Sequence, residues 1–221
     1  GLARPGALSL AHRGVLFMDE APEFSSGALE ALRQPLESGV VHLSRVHGGT
    51  TYPARVQLVL AANPCPCAKP AGDAACECSA LARRRYQARL SGPLMDRIDV
   101  QARLTPLTAA ELMAVGPPGE PSRLVAERVA KARAAAAARW SGRGWRTNGE
   151  VPGPALRDSA WRLPAHDTTT LRRRLDRGEL SARGCDRILR MAWTIADLDG
   201  RVRPDRGDVD EAAALRTGEM A

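Results

Sequence analysis

The chain has 221 residues, 44% of them hydrophobic, which is enough for one large domain or two modest ones with packed cores. No apolar run is long enough to span a bilayer and the N-terminus has no basic-then-apolar signal peptide, so we expect no membrane association and a cytoplasmic protein. Lysine and arginine outnumber aspartate and glutamate by 32 to 25, mostly as arginine. This excess favours a nucleic-acid partner, although solvated helix faces are the alternative for any one arginine.

The segment from Gly14 to Glu20 is an apolar run that ends in two adjacent carboxylates, Asp19 and Glu20. Four consecutive apolar residues cover both faces of a strand, so the run predicts a strand in the middle of a buried parallel sheet. At the carboxyl end of such a strand one acid can hold a hydrated Mg²⁺ while its neighbour polarises a water. The pattern is typical of a Walker B strand, and a plain strand followed by a capped helix is the alternative.

Three further elements are predicted before the first cysteine. Ser25 or Ser26 can cap a helix over residues 27–37, which Pro35 would kink or end early and Gly39 would stop. Residues 40–55 have the pattern of a β-hairpin with its tip at His47-Gly48-Gly49. A second buried strand, residues 56–62, then ends at Asn63.

Four cysteines follow as C-x-C, a gap of eight residues and a second C-x-C, namely Cys65, Cys67, Cys76 and Cys78. Four thiolates from one short loop suit tetrahedral zinc, and a reducing cytoplasm argues against permanent disulfides. The spacing of one residue is tighter than that of common zinc sites, so reduced thiols or a redox-sensitive pair remain alternatives. The fifth cysteine, Cys185, is expected to be a core thiol on a helix.

Helix signals dominate the rest of the chain. A short basic helix is predicted over residues 81–90, followed by a turn at residues 91–99 that leads into a short strand. Four helices are then predicted, over residues 122–139 with Ser122 as cap, 167–176, 181–198 and 208–217, with a loop over residues 141–154. We therefore expect an α/β domain over residues 1–103 and a helical domain over residues 104–221.

Several segments, taken in chain order, resemble the magnesium-chelatase-like AAA+ ATPases of bacteria, the ComM/YifB competence-related family. They are Pro5-Gly6-Ala7-Leu8-Ser9-Leu10-Ala11-His12, Gly14 to Glu20, Leu32-Arg33-Gln34-Pro35-Leu36-Glu37, Asn63-Pro64-Cys65-Pro66-Cys67, Ser91 to Asp99, Ser181-Ala182-Arg183 and Thr194 to Leu198. Ordered agreement along almost the whole chain is more specific than any single motif. The resemblance implies part of an AAA+ parallel-sheet core with a β-hairpin insertion, followed by an all-α lid domain.

The resemblance also implies ATP and Mg²⁺ as cofactors and gives roles to the strand-end residues. Asp19 would bind Mg²⁺, and Glu20 would orient the attacking water as general base. Asn63 resembles sensor 1, whose amide contacts that water and the γ-phosphate. An asparagine in an ordinary turn is the alternative for Asn63.

Two arginines resemble residues that complete an AAA+ site. Arg97 resembles the arginine finger that reaches a neighbouring subunit's site, so the family is expected to form a hexameric ring. The alternative is an ion pair within the chain, with Asp96 or Asp99. Arg183 resembles sensor 2, with a solvated helix charge as the alternative.

The hairpin matches the position of the pre-sensor-1 hairpin that lines the central pore in this clade. Arg45 and His47 near its tip could contact the phosphates of DNA, in which case the ring would remodel DNA or drive branch migration during recombination or natural transformation. An ordinary exposed hairpin is the alternative.

The chain departs from the family pattern at three places. It contains no G-x-x-x-x-G-K-[ST] phosphate loop, so we expect it to be the C-terminal portion of a longer protein and to be inactive alone. Ala68 stands where the family tends to have glycine, and Trp193 stands where arginine is usual. Two other functions stay open: the ATPase subunit of a magnesium-chelatase-type complex, and a non-catalytic, zinc-stabilised DNA-binding fragment.

Overall fold

A computed structural model of the chain describes residues 3–45, 48–69, 75–114 and 119–219. The chain divides into two compact units, the first running to Ile98 and the second beginning at Asp99. The domain boundary between residues 103 and 104 stays a prediction. Within the described ranges, no helix is long and apolar enough to cross a membrane.

The first unit contains both β-sheets of the described structure and five short α-helices. Its elements are α1 (Ala7–Leu10), β1 (Val15–Met18), a 3₁₀ helix (Ala21–Glu23), α2 (Ser26–Ala31), α3 (Arg33–Ser38), β2 (Val40–Arg45), β3 (Gly48–Pro53), β4 (Gln57–Leu60), α4 (Ala80–Gln87) and α5 (Gly92–Met95).

Strands β1 and β4 pair in parallel, with Val15 opposite Gln57 and Met18 opposite Leu60. This pairing confirms the two predicted strands and their parallel arrangement. The predicted burial of both faces is wrong, because Val15 and Phe17 are 60% and 59% exposed. Side chains alternate between the faces of a strand, and only the face carrying Leu16 and Met18 packs against the core of this unit. In the described part of the chain β4 is the only strand paired with β1.

The predicted helix over residues 27–37 is interrupted at Leu32 and forms α2 and α3. Ser25 caps α2 by accepting a hydrogen bond from the Ala28 N–H, and Gly39 ends α3 with a positive φ of 70°, both as predicted. Pro35 lies inside α3, so the break precedes it. A proline ring clashes with the carbonyl four residues earlier, at Ala31, which is where α2 ends.

Strands β2 and β3 form an antiparallel hairpin in which Val40 pairs with Pro53 and Arg45 with Gly48. The predicted basic helix is present as α4, and Ser79 caps it by accepting from the Ala82 N–H. The short strand predicted after the turn at residues 91–99 is wrong, because residues 100–108 contain no strand. The turn itself contains helix α5, which Ser91 caps by accepting from the Leu94 N–H.

The second unit is helical throughout its described residues, as the sequence predicts. Its α-helices are α6 (Ala109–Met113), α7 (Ser122–Trp140), α8 (Gly153–Leu156), α9 (Thr169–Asp176), α10 (Ala182–Leu198) and α11 (Arg206–Thr217). Ser122 is not the cap that the sequence suggests, because Pro121 precedes the helix and Ser122 is its first residue. Ser181 does cap α10, by accepting from the Gly184 N–H at 3.0 Å. The predicted loop over residues 141–154 contains two 3₁₀ turns and the start of α8.

The core of this unit is built around Trp140, which is fully buried. All four tryptophans of the chain lie together, with ring centroids 4.6–6.0 Å apart: Trp140, Trp145, Trp161 and Trp193. Cys185 is buried in the same core, which confirms the prediction of a core thiol.

A buried ion pair joins α7 to α10 beside these rings. Arg139 makes a two-pronged contact with Asp197, whose side chain is 1% exposed. Asn148 also donates to Asp197, at 2.8 Å, and the Arg139 guanidinium lies 4.4 Å from the centroid of the Trp193 ring. Loss of either charge would leave the other buried without its partner, which is costly.

Asp197→Asn is therefore expected to lower the free energy of unfolding of the helical unit by about 3 kcal/mol. Denaturant unfolding followed by tryptophan fluorescence measures this unit selectively, because every tryptophan lies in it. Asp199→Asn is the matched control: its side chain is 58% exposed and pairs with Arg201 at the surface, so we expect a change within about 1 kcal/mol. Equal effects of the two substitutions would contradict the assigned importance of the buried pair.

Candidate active site and cysteine centre

The parallel pairing of β1 with β4 brings the two predicted strand-end motifs to one edge of the sheet. Asp19 and Glu20 follow β1, and Asn63 follows β4. The pairing continues past the strands, because the Ala61 N–H donates to the Met18 carbonyl at 2.9 Å and the Ala21 N–H donates to the Ala61 carbonyl at 2.8 Å. Both acids are exposed at the edge where parallel sheets bind ligands.

The backbone at Glu20 adopts a conformation that few non-glycine residues take. Its φ and ψ are 49° and 43°, in the left-handed region, and the Glu20 N–H donates to Oδ1 of Asp19 at 2.9 Å. Backbone strain of this kind concentrates at functional sites, where the surrounding structure holds it in place.

Tyr86 of α4 is a neighbour of this edge that sequence reasoning missed. The tyrosine is 6% exposed, and burial raises the pKa of its hydroxyl. The carboxylates of Glu23 and Glu20 raise that pKa further, whereas the backbone of Asn63 lowers it. Tyr86 therefore lies within electrostatic reach of both sides of the candidate site. In the sequence, the signal for this residue was a single aromatic among the arginines of α4.

Arg97 is held within its own chain, with a side chain only 10% exposed. Its Nη2 lies 2.7 Å from Oε1 of Glu37, and its Nε and Nη1 donate to the carbonyls of Arg33 and Pro93 at 2.9 and 2.6 Å. Glu37 is thus an intrachain partner that the sequence did not suggest, and an ion pair with Asp96 or Asp99 stays a prediction. The role of Arg97 as a finger toward a neighbouring subunit also stays a prediction.

The other predicted site residues lie on elements other than the two paired strands. Arg183 is exposed at the second position of α10, in the helical unit. Arg45 is the last residue of β2, at the end of the hairpin. His47 lies outside the described residues.

The four predicted ligands of the cysteine loop come together in the structure. Cys65, Cys67, Cys76 and Cys78 place their sulfur atoms within 4.8 Å of one another. The Sγ of Cys65 lies 3.1 Å from that of Cys67 and 3.4 Å from that of Cys76. Tetrahedral zinc with bonds of about 2.3 Å separates its sulfur ligands by about 3.8 Å, so the two short separations must widen and any separation near 4.8 Å must narrow, each by about 1 Å or less, for the cluster to hold the ion.

The thiols of this cluster shift one another's pKa values. A hydrogen bond from Cys65 lowers the pKa of Cys67 to about 7, so one thiolate forms readily. The hydrogen bond with Cys67 raises the pKa of Cys65, and likewise raises the pKa of Cys78 to about 12. A single negative charge is thus favoured and further ones are opposed, and a bound divalent cation would relieve that opposition.

Ala68, in the turn that follows Cys67, has a positive φ of 44°. Glycine takes this conformation without steric cost, whereas alanine does not. The position where the family tends to have glycine is therefore one where the cysteine turn requires a left-handed residue.

Comparison with known proteins agrees with this arrangement of motifs. The family "Magnesium chelatase, subunit ChlI" matches residues 2–112, and "Magnesium chelatase, subunit ChlI C-terminal" matches residues 119–216. The chain belongs to this magnesium-chelatase-like family.

Curated relatives match nearly the whole chain. An uncharacterized protein of Mycobacterium tuberculosis is 54% identical over 98% of this chain and 42% of its own length. The uncharacterized protein YifB of Escherichia coli is 40% identical over 96% of this chain and 41% of its own length. The competence protein ComM of Haemophilus influenzae is 37% identical over 97% and 41%, respectively. The chain thus spans about two fifths of the length of these relatives.

The cysteine centre predicts about one equivalent of zinc per purified chain, measured by elemental analysis. Cys67→Ser should reduce the content below about half an equivalent, since three sulfur ligands bind zinc more weakly than four. Cys185→Ser is the matched control and should keep the zinc, because Cys185 lies in the core of the helical unit. Less than about half an equivalent in the unsubstituted protein would contradict a zinc centre.

Proposed function

We propose that this chain is the water-activating part of an AAA+ ATPase motor that uses ATP hydrolysis to remodel DNA. The observation that carries the proposal is the parallel pairing that brings Asp19, Glu20 and Asn63 to one sheet edge. Membership of the magnesium-chelatase-like family supports the ATPase class. The phosphate loop, absent from these 221 residues, is supplied by another segment of the working protein.

In this proposal the strand-end residues divide the work of phosphoryl transfer. Asp19 holds Mg²⁺, which neutralises charge that builds up on the transferred phosphate. Glu20 accepts a proton from the attacking water and orients it. Asn63 donates its amide hydrogens to the γ-phosphate and fixes the water from the other strand. ATP and Mg²⁺ are therefore the proposed cofactors.

Arg97 and Arg183 complete the proposed site when subunits assemble head to tail in a hexameric ring. The γ-phosphate of a neighbouring subunit would compete with Glu37 for the Arg97 guanidinium, which the carbonyls of Arg33 and Pro93 hold in a defined orientation. Arg183 would contact the nucleotide from the lid. The proposed place of action is the cytoplasm, where the cysteines stay reduced or metal-bound.

The β2–β3 hairpin is the proposed DNA contact, acting as a pre-sensor-1 hairpin through Arg45 and His47. A net charge of +7 supports a polyanionic partner. The printed name of one relative, a competence protein, favours a role in DNA uptake or recombination.

The family description also supports a second function, ATPase subunit of a magnesium chelatase. ATP turnover that DNA leaves unchanged would favour the chelatase over the DNA motor. Salt-dependent DNA binding with no affinity for ATP in the full-length protein would instead favour a non-catalytic DNA-binding module.

Glu20→Gln tests the assignment of the general base in the full-length protein. The substitution keeps the shape of the side chain but removes the proton acceptor, so we expect the turnover number to fall at least about a hundredfold. Nucleotide affinity, measured by titration with a fluorescent ATP analogue, should persist.

Glu127→Gln is the matched control for that variant, because Glu127 lies exposed on α7 and pairs only with Arg123 among the contacts of the described structure. It should retain wild-type turnover. Wild-type turnover in Glu20→Gln would refute the assigned base.

The hairpin assignment predicts a change in the salt dependence of DNA binding. Arg45→Ala should weaken binding and reduce the slope of log affinity against log salt by about one, because one phosphate contact is lost. Fluorescence anisotropy across a salt series measures that slope. Arg123→Ala removes an exposed arginine of α7 as a control and should leave the slope unchanged. Equal slopes for the two variants would remove the hairpin from the DNA interface.

A further inference from the structure

The last turn of α4 contacts both segments that leave the candidate site. Gln87 donates from Nε2 to the carbonyl of Pro64 at 3.1 Å, directly after Asn63. Arg89, just beyond the helix, contacts Glu23 at 3.3 Å, in the 3₁₀ helix that follows Glu20. Tyr86, which directly precedes Gln87, is buried.

The position of Asn63 depends on few contacts besides these. Asn63 lies beyond the last paired residue of β4, Leu60, so the sheet ladder does not extend to it. Neighbouring residues are held from two directions: β1 binds the Ala61 backbone, and α4 binds the Pro64 carbonyl through Gln87. A displacement of about 1 Å at a catalytic group can lower the reaction rate about a hundredfold. We therefore expect the contacts that hold the backbone around Asn63 to affect the rate.

The cysteine centre anchors the other end of α4. Cys65 follows Asn63 by two positions, and Cys78 directly precedes Ser79, the cap of α4. Because the four sulfur atoms lie within 4.8 Å of one another, they close a loop that starts at Asn63 and ends at the first turn of α4. The loop and α4 thus lead the chain from Asn63 back to the Pro64 carbonyl, which Gln87 contacts.

We propose that α4 is a brace that sets the position of Asn63, with Gln87 as a positioning residue that acts on the backbone through the Pro64 carbonyl. The proposal rests on the proposed ATPase function and deepens it. The Gln87 side chain does not need to touch the nucleotide. It acts on ATP turnover through the asparagine.

Gln87→Met in the full-length protein tests the brace, because it keeps side-chain bulk and removes the hydrogen bond to the Pro64 carbonyl. It should lower kcat about three- to tenfold, as expected for the loss of one hydrogen bond, while KM for ATP stays unchanged. Gln34→Met is the matched control: Gln34 is exposed on α3 and donates to Ser38 Oγ at 2.9 Å, so kcat should remain at the wild-type value.

A double-substitution cycle separates positioning from general stability. If Gln87 acts through Asn63, Gln87→Met should not lower kcat further once Asn63→Ala is present. Unchanged kcat in the single variant Gln87→Met, or an equal fall in the Asn63→Ala background, would overturn the brace. These outcomes differ from failure of the proposed function, in which the unsubstituted full-length protein itself would not hydrolyse ATP.

Discussion

The parallel hydrogen-bonded pairing of β1 with β4 is the constraint on which the candidate site depends. The two strands are separated by the hairpin and two helices, and only their in-register pairing brings Glu20 and Asn63 to the same edge. A slip of one residue would turn the side chains of the slipped strand to the opposite face and take Leu16 and Met18 out of the core. The apolar residues Leu16 and Met18 therefore fix both the core and the site.

The cysteine centre also constrains the loop that follows the sheet, between Asn63 and α4. Four thiols this close resist full ionisation, so the loop gains most from a cation that balances their charge. A metal bound by the four cysteines would join the two ends of the loop between Asn63 and α4. The loop would then hold Asn63 and the start of α4 at a more closely fixed distance. Stability of the loop and geometry of the water-binding edge would then depend on the same ion.

Local features were predictable because they are encoded by neighbouring residues. The run ending in Asp19 and Glu20, the C-x-C pairs and the cap at Ser25 each follow from spacing or from one side chain. The Glu37 partner of Arg97 was not predictable in this way, because Arg97 reaches Glu37 and the Arg33 carbonyl, 64 positions away along the chain, only after folding. Packing also decided which face of β1 is buried and that Tyr86 of α4 is buried. Periodicity alone carries no information on such contacts.

The central claim is that Glu20 and Asn63 hold one water from two adjacent strands. This arrangement can be tested with a structure of the full-length protein bound to Mg²⁺, ADP and aluminium fluoride, an analogue of the phosphoryl group in the transition state. We expect Mg²⁺ next to Asp19 and an attacking water within hydrogen-bond distance, about 2.6–3.2 Å, of both Glu20 and Asn63. Nucleotide and Mg²⁺ bound with that water in contact with neither residue would contradict it.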